Sequence, residues 1–180
     1  GFSEKLDASL GGAAGAATAS GAFTLLAPQA TDNTHLVAGL ITTHDGVQTG
    51  SDILALASDG NGVDGNGQTV LTAQTISITG TVFNFATAAV GSAAFGDIHT
   101  ALSTSRILTV TNSAPADGFS ETLDGVVTAF GGQLSAAGAI THLPAGIADT
   151  TDIALALATS NDGTHSGSVT LGFTSAGSGV

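Results

Sequence analysis

The sequence predicts an all-β protein built from antiparallel sandwich repeats, and three observations carry that prediction. Short segments alternate apolar with hydroxyl side chains, and Asp-Gly, Gly-Asn and Pro-Ala steps separate them. The opening decapeptide GFSEKLDASL returns 117 residues later as GFSETLDGVV. Aligning Gly1 with Gly118 and continuing without a gap to Val63 against Val180 leaves about 25 identical positions in 63. Turn residues and apolar positions recur together, as they do when each period folds alike. A period of about 117 residues exceeds a solenoid coil of roughly 20–45 residues and suits one β-sandwich domain.

Taken in order, the elements are these. Gly11 to Ala19 is rich in Ala but interrupted by Gly11, Gly12 and Gly15, with no capping pattern, and reads as a loop entering a strand over Thr18–Leu25. From Gln74 to Phe83, Ile76, Ile78 and Val82 share one face while Thr75, Ser77, Thr79 and Thr81 share the other, the period of a half-buried strand. One full period then gives strands at Ser92–His99, Arg106–Asn112, Phe119–Val127, Leu134–His142, Thr151–Thr159 and Ser166–Thr174, closed by the counterpart of Gln74–Phe85. In Arg106–Asn112 the side chains of Leu108 and Val110 are expected inward. Ile153, Leu155 and Leu157 form the inner face of their strand. Asp45-Gly46, Asp59-Gly60-Asn61-Gly62, Pro115-Ala116-Asp117-Gly118 and Asn161-Asp162-Gly163 supply turns, because Gly and Asn accept positive φ at little cost. Seven short strands with such punctuation predict an immunoglobulin-like sandwich.

Composition narrows the function. Two basic residues, Lys5 and Arg106, stand against fourteen acids, for a formal charge of −12. Nucleic-acid binding needs Lys and Arg to displace phosphate counterions, so no nucleic-acid partner is expected. The same charge repels anionic membrane surfaces, and no apolar run of about 18 residues predicts insertion into a membrane. Cys is absent, which rules out disulfides and thiolate metal sites and fits the outside of a cell. Met is absent too, so a chain beginning at Gly1 is read as processed or as a segment of something longer. With only 4% aromatic residues, all Phe, any core is built from Ala, Val, Leu and Ile.

Candidate chemistry is sparse. Asp59, Asn61, Asp64 and Asn66, separated by glycines, are candidate calcium ligands, since alternating oxygen-bearing side chains can wrap a hard cation. Val70 occupies the twelfth position, where an EF-hand carries Glu, and a plain Gly/Asn hairpin loop accounts for the same residues. No other cofactor is expected. His35, His44, His99, His142 and His165 lack metal-ligand spacing. Glu4 with Asp7, and Glu121 with Asp124, could serve as paired glycosidase carboxylates; their recurrence in both halves argues for tying a turn instead. No Gly-x-Ser-x-Gly elbow occurs. The reading is therefore non-enzymatic.

The run Val90-Gly91, Phe95-Gly96-Asp97-Ile98-His99, Leu108-Thr109-Val110-Thr111-Asn112 and Ala116-Asp117-Gly118-Phe119-Ser120-Glu121 resembles the repeat of very long bacterial surface proteins of the choice-of-anchor D type. It is more distantly similar to immunoglobulin-like domains with an FG…VG…LTVTN start. The resemblance covers essentially the whole chain. It implies an extracellular or cell-surface module in tandem array, acting as adhesin shaft, stalk or filament, with no catalytic residues. It also sets the phase: residues 1–87 are the C-terminal part of one repeat, and residues 88–180 the N-terminal part of the next, with its last strand missing. Unpaired strands and open apolar faces are costly. The expected partners are therefore copies of the chain or adjacent repeats, joined head to tail by strand complementation or present in a longer chain. The alternative is an extracellular module binding a surface glycan or calcium.

Overall fold

The computed structural model describes residues 3–102 and 104–177, and these contain fifteen β-strands and no helix. The chain divides into two compact units, Gly1–Val82 and Phe83–Val180. The first contains β1 (Lys5–Gly15), β2 (Ala17–Ser20), β3 (Ala22–Leu26), β4 (Val37–Leu40), β5 (Gly46–Asp59) and β6 (Gln68–Val82). The second contains β7 (Ala88–Val90), β8 (Thr104–Ile107), β9 (Val110–Asn112), β10 (Thr122–Gly132), β11 (Leu134–Ala137), β12 (Ala139–Leu143), β13 (Ala148–Asp149), β14 (Ala154–Leu157) and β15 (Gly167–Ala176). Ladders between these strands are antiparallel.

In the first unit the main sheet runs β3-β1-β5-β6, and β2 pairs with β4 separately. In the second unit β12-β10-β15 form one sheet, β11-β14-β8 another and β13-β9-β7 a third. β1 and β10, β2 and β11, β3 and β12, and β4 and β14 have the same lengths and bounds 117 positions apart. Their registers correspond as well: Leu6 faces Leu26 as Leu123 faces Leu143, and Ala17 faces Leu40 as Leu134 faces Leu157.

Several sequence expectations change. Gly11–Ala19 is strand rather than loop: β1 continues to Gly15 against β5, with a register shift between Gly11 and Ala14 that absorbs the glycines as a bulge. Ser92–His99 forms no strand. Gly91 donates its N–H to Thr109 O at 2.9 Å, after which the chain leaves the ladder and Phe95 packs against the core. Arg106–Asn112 divides because β8 joins β14 whereas β9 joins β7 and β13. Leu134–His142 divides at Gly138, whose φ of 129° belongs to glycine, and a Cβ there would strike the carbonyl of Asp152. Gly21 makes the same approach to the carbonyl of His35. Of the expected Gln74–Phe83, all but Phe83 falls within the longer β6, and Ile76, Ile78 and Val82 are half-buried while the Thr/Ser face is exposed.

The core lies in the second unit. Leu108, Val110, Leu123, Ile140, Leu143, Ile153 and Leu155 are each under 9% exposed and pack as one cluster. In the first unit the corresponding Leu6, Phe23, Leu26 and Leu36 are only half-buried. In the second unit Leu108 and Val110 enter this cluster from the β8–β9 segment, at 3% and 0% exposure. Replacing Leu123 with Ala should therefore cost about 2–5 kcal/mol, and Leu6→Ala less, about 1–2 kcal/mol, since water already reaches the Leu6 side chain. Urea unfolding followed by NMR signals of each unit measures both losses, and equal losses would contradict the account.

Candidate functional site

Of the candidate calcium residues, Asp59 ends β5, and Asn61, Asp64 and Asn66 lie on the loop joining it to β6. Asp59 Oδ1 accepts from Asn61 N at 2.7 Å, Asp64 Oδ1 from Asn66 N at 3.0 Å, and Asp64 Oδ2 from Asn66 Nδ2 at 2.7 Å. The carbonyl of Gly60 collects the N–H groups of Val63, Asp64 and Gly65 at 3.0–3.2 Å. The four residues are thus brought into one loop, as two Asx pairs that shape the turn. The Asn66 amide, aided by the Asn66 side chain and Glu4, holds the Asp64 carboxyl below its ordinary 3.8. Among the described residues, no group of three or more His, Asp or Glu gathers at metal-binding spacing.

The paired carboxylates each hold a neighbouring segment. Asp7 Oδ1 accepts from Leu25 N at 2.6 Å, and Asp124 Oδ1 accepts from His142 N at 2.6 Å. Leu25 and His142 have φ of 59° and 52°, a left-handed conformation that a non-glycine residue holds only with local support. Glu121 Oε2 accepts from Ser175 Oγ at 2.6 Å, and Glu4 Oε2 accepts from Ser58 Oγ in the same way. The opening motif therefore provides turn and strand fastenings. Its Gly1 and Phe2 lie outside the described residues. In the second copy Leu123 is 2% exposed, and the ring of Phe119 lies 6.1 Å from that of Phe83.

The histidines are dispersed. His35 Nδ1 lies 2.5 Å from Asp32 Oδ2 on an exposed turn, and His165 Nε2 contacts Asn161 O at 2.8 Å. The backbone and then the side chain of His35 hold the Asp32 carboxyl below 3.8. At Asp149, in the corresponding turn, burial opposes ionisation, but donations from Asp152 and Thr151 prevail and lower it.

Three residues matter more than the sequence indicated. Asn112 is 0% exposed and uses its whole amide: Oδ1 accepts from Thr87 N at 3.1 Å and Ala114 N at 3.3 Å, while Nδ2 donates to Glu121 O at 3.0 Å and Leu143 O at 3.1 Å. An Asn closing an alternating Leu-Thr-Val-Thr run was the available signal. Asp52, on β5, is also 0% exposed, yet neither carboxylate oxygen has a partner among the described residues. Its alignment with Val169 marks an acid where the other copy is apolar. Val37, on β4, is 60% exposed, and among the described residues β4 pairs along one edge only.

The second unit also contains a cleft of about 1140 Å³. Its floor is Leu108, Leu155, Leu171 and Phe173, and its rim carries Asp97, His99, Asp162 and His165. Compared with known protein families, with curated proteins and with solved structures, the chain matches none.

An unpartnered buried carboxylate is destabilising, while an aliphatic side chain in its place can be neutral or better. Asp52→Val, which copies Val169, should raise the urea midpoint of the first unit; a fall would show that Asp52 has a partner in solution. For Asp32, Asp64 and Asp149 the sign is that of carboxylates with lowered values. Their stabilisation is complete above the ordinary 3.8 and is lost as pH falls through the lowered value. Between about pH 5 and pH 2, hydrogen-exchange protection of the Asn66, His35 and Asp152 amides should fall while that of Leu108 persists. Unchanged protection would contradict the assignment.

Proposed function

We propose that the chain is a non-enzymatic structural protein of the bacterial cell exterior, carrying parts of two tandem immunoglobulin-like repeats of about 117 residues, cut out of phase with the domain boundary. It serves as a shaft, stalk or filament element, extracellular or on the cell surface, and its partners are adjacent repeats or copies of itself. One observation carries this reading. The bond from Asp7 to Leu25 N and the bond from Asp124 to His142 N have the same length, 2.6 Å, and each supports a left-handed residue. Two stretches of chain that share strand bounds, register and such a detail are best understood as two castings of one module. Modules of this kind act by length and linkage, and the carboxylates of Glu4, Asp7, Glu121 and Asp124 hold neighbouring strands.

A binding module for a surface glycan or calcium is the second reading. The cleft beside Asp97, His99, Asp162 and His165 favours the glycan, because an apolar floor with a polar rim suits a sugar ring.

Negative-stain microscopy and sedimentation of the purified chain separate these readings. The structural reading expects elongated particles or end-to-end strings that lengthen with concentration. Compact monomers at all concentrations, together with saturable binding on a glycan array or heat on calcium addition, would replace it with the second reading.

A further inference from the structure

The chain contains two Asn-Gly steps, Asn61-Gly62 and Asn66-Gly67, and both lie on the loop between β5 and β6. Asparagine before glycine is chemically labile. The main-chain nitrogen of the following residue attacks the side-chain amide carbon, a C–N bond closes a succinimide ring, and ammonia leaves. Water then opens the ring at either carbonyl, giving aspartate or, with the main chain rerouted through the side chain, isoaspartate. A side chain on the following residue hinders ring closure, and glycine has none. Asn33, Asn84, Asn112 and Asn161 precede Thr, Phe, Ser and Asp. By sequence alone, Asn61 and Asn66 rank together.

The structure separates them. Both carboxylate oxygens of Asp64 hold Asn66: Oδ1 accepts from its backbone N at 3.0 Å and Oδ2 from Nδ2 at 2.7 Å. That grip draws the Asn66 amide toward the preceding residues and away from Gly67 N, which ring closure requires it to reach. Gly67 is half-buried and its carbonyl accepts from Gly60 N at 2.8 Å, so the backbone there is fixed as well. Asn61 is held only through its backbone N, by Asp59 Oδ1 at 2.7 Å. Among the described residues, neither its side-chain amide nor the N–H of Gly62 has a partner. Both residues are exposed, and a Cβ on Gly62 would meet nothing within 4 Å.

We propose that Asn61 is a self-modification site of the folded chain, converted to aspartate or isoaspartate by attack of Gly62 N, while Asp64 keeps Asn66 as the amide. Loop geometry alone carries this, whichever role the two units have. Each conversion replaces a neutral amide with a carboxylate and makes the formal charge one unit more negative than −12. The new charge stands beside Asp59, which is 5% exposed, and like charges so placed repel. Isoaspartate also adds a methylene to the main chain. Either product works against the closure that the bond from Gly60 N to Gly67 O makes.

The test holds the full chain in mildly alkaline buffer, folded and in concentrated urea, and digests samples with pepsin, whose acid medium stops the reaction. Mass spectrometry of the loop peptide counts conversion at each residue, and an isoaspartyl methyltransferase marks the isoaspartate. In the folded chain Asn61 should convert about tenfold faster than Asn66, a factor that one hydrogen bond to a charged group can supply. In urea the two rates should be similar. Asp64→Ala should bring Asn66 up to the rate of Asn61, and Asp64→Asn, which keeps an acceptor oxygen, should restore part of the protection. Asn61→Asp should speed hydrogen exchange of the Gly60 amide about threefold. The proposal is overturned if Asn66 converts as fast as Asn61 in the folded chain, or if neither outpaces Asn33 and Asn161. It also falls if the preference for Asn61 persists in urea, which would assign it to local sequence, if Asp64→Ala leaves Asn66 slow, or if Asn61→Asp leaves Gly60 exchange unchanged.

Discussion

The amide side chain of Asn112 bonds four separate stretches of the second unit, and the rest of that unit is arranged around it. It receives the N–H groups of Thr87 and Ala114 and gives its own to the carbonyls of Glu121 and Leu143. A buried amide is costly unless every donor and acceptor is met, and here all are met. That requirement fixes the relative positions of the segments before β7, after β9, at the entrance to β10 and at the end of β12. With these ends fixed, Leu108 and Val110, just upstream, have one place to go. The apolar cluster is thus positioned by a polar residue, and burial of Leu123, Ile140 and Ile153 follows.

A second device acts on bulges. Asp7 and Asp124 each hold a non-glycine residue, Leu25 and His142, in the left-handed region at the register shifts where β3 pairs with β1 and β12 with β10. Gly21 and Gly138 act one step earlier, where the chain approaches a carbonyl too closely for any side chain. Acid and glycine together set the path from β2 to β3 and from β11 to β12. Both devices are local, so each unit builds its frame independently of how well its interior is filled.

Much of this frame was legible in the sequence, and the reasons are physical. Strand alternation at Ile76-Ser77-Ile78 and Ile153-Ala154-Leu155 reports a face, and a face is what burial then produces. The role of Glu4, Asp7, Glu121 and Asp124 was visible because a side chain needed for shape recurs wherever the shape does. Ser92–His99 misled because Phe95 and Ile98 look like strand residues, whereas the absence of a ladder partner is a long-range fact. Gly11–Ala19 misled in the opposite way: glycines that read as breakers sit in a bulge sustained by β5. The half-buried state of Leu6, Phe23 and Leu36 and the unpartnered state of Asp52 were not legible, since each depends on packing between residues distant in sequence.

β6 extends over 15 residues, and among the described residues it pairs only with β5. Long exposed edges are usually protected by lysines, prolines or bulges. Here Val70 is 86% exposed and Leu71 40%, and no Lys, Arg or Pro lies within the strand. One bulge interrupts this edge, where Thr72 and Ala73 oppose Ala55 alone, and along the rest of it protection from edge-to-edge pairing falls to the net negative charge of the molecule. Charge of that kind acts over a distance set by ionic strength, about 10 Å at 0.1 M salt and about 3 Å at 1 M. The molecule's sociability is consequently a property of its medium: dilute salt keeps copies apart, and brine removes the charge barrier along most of that edge.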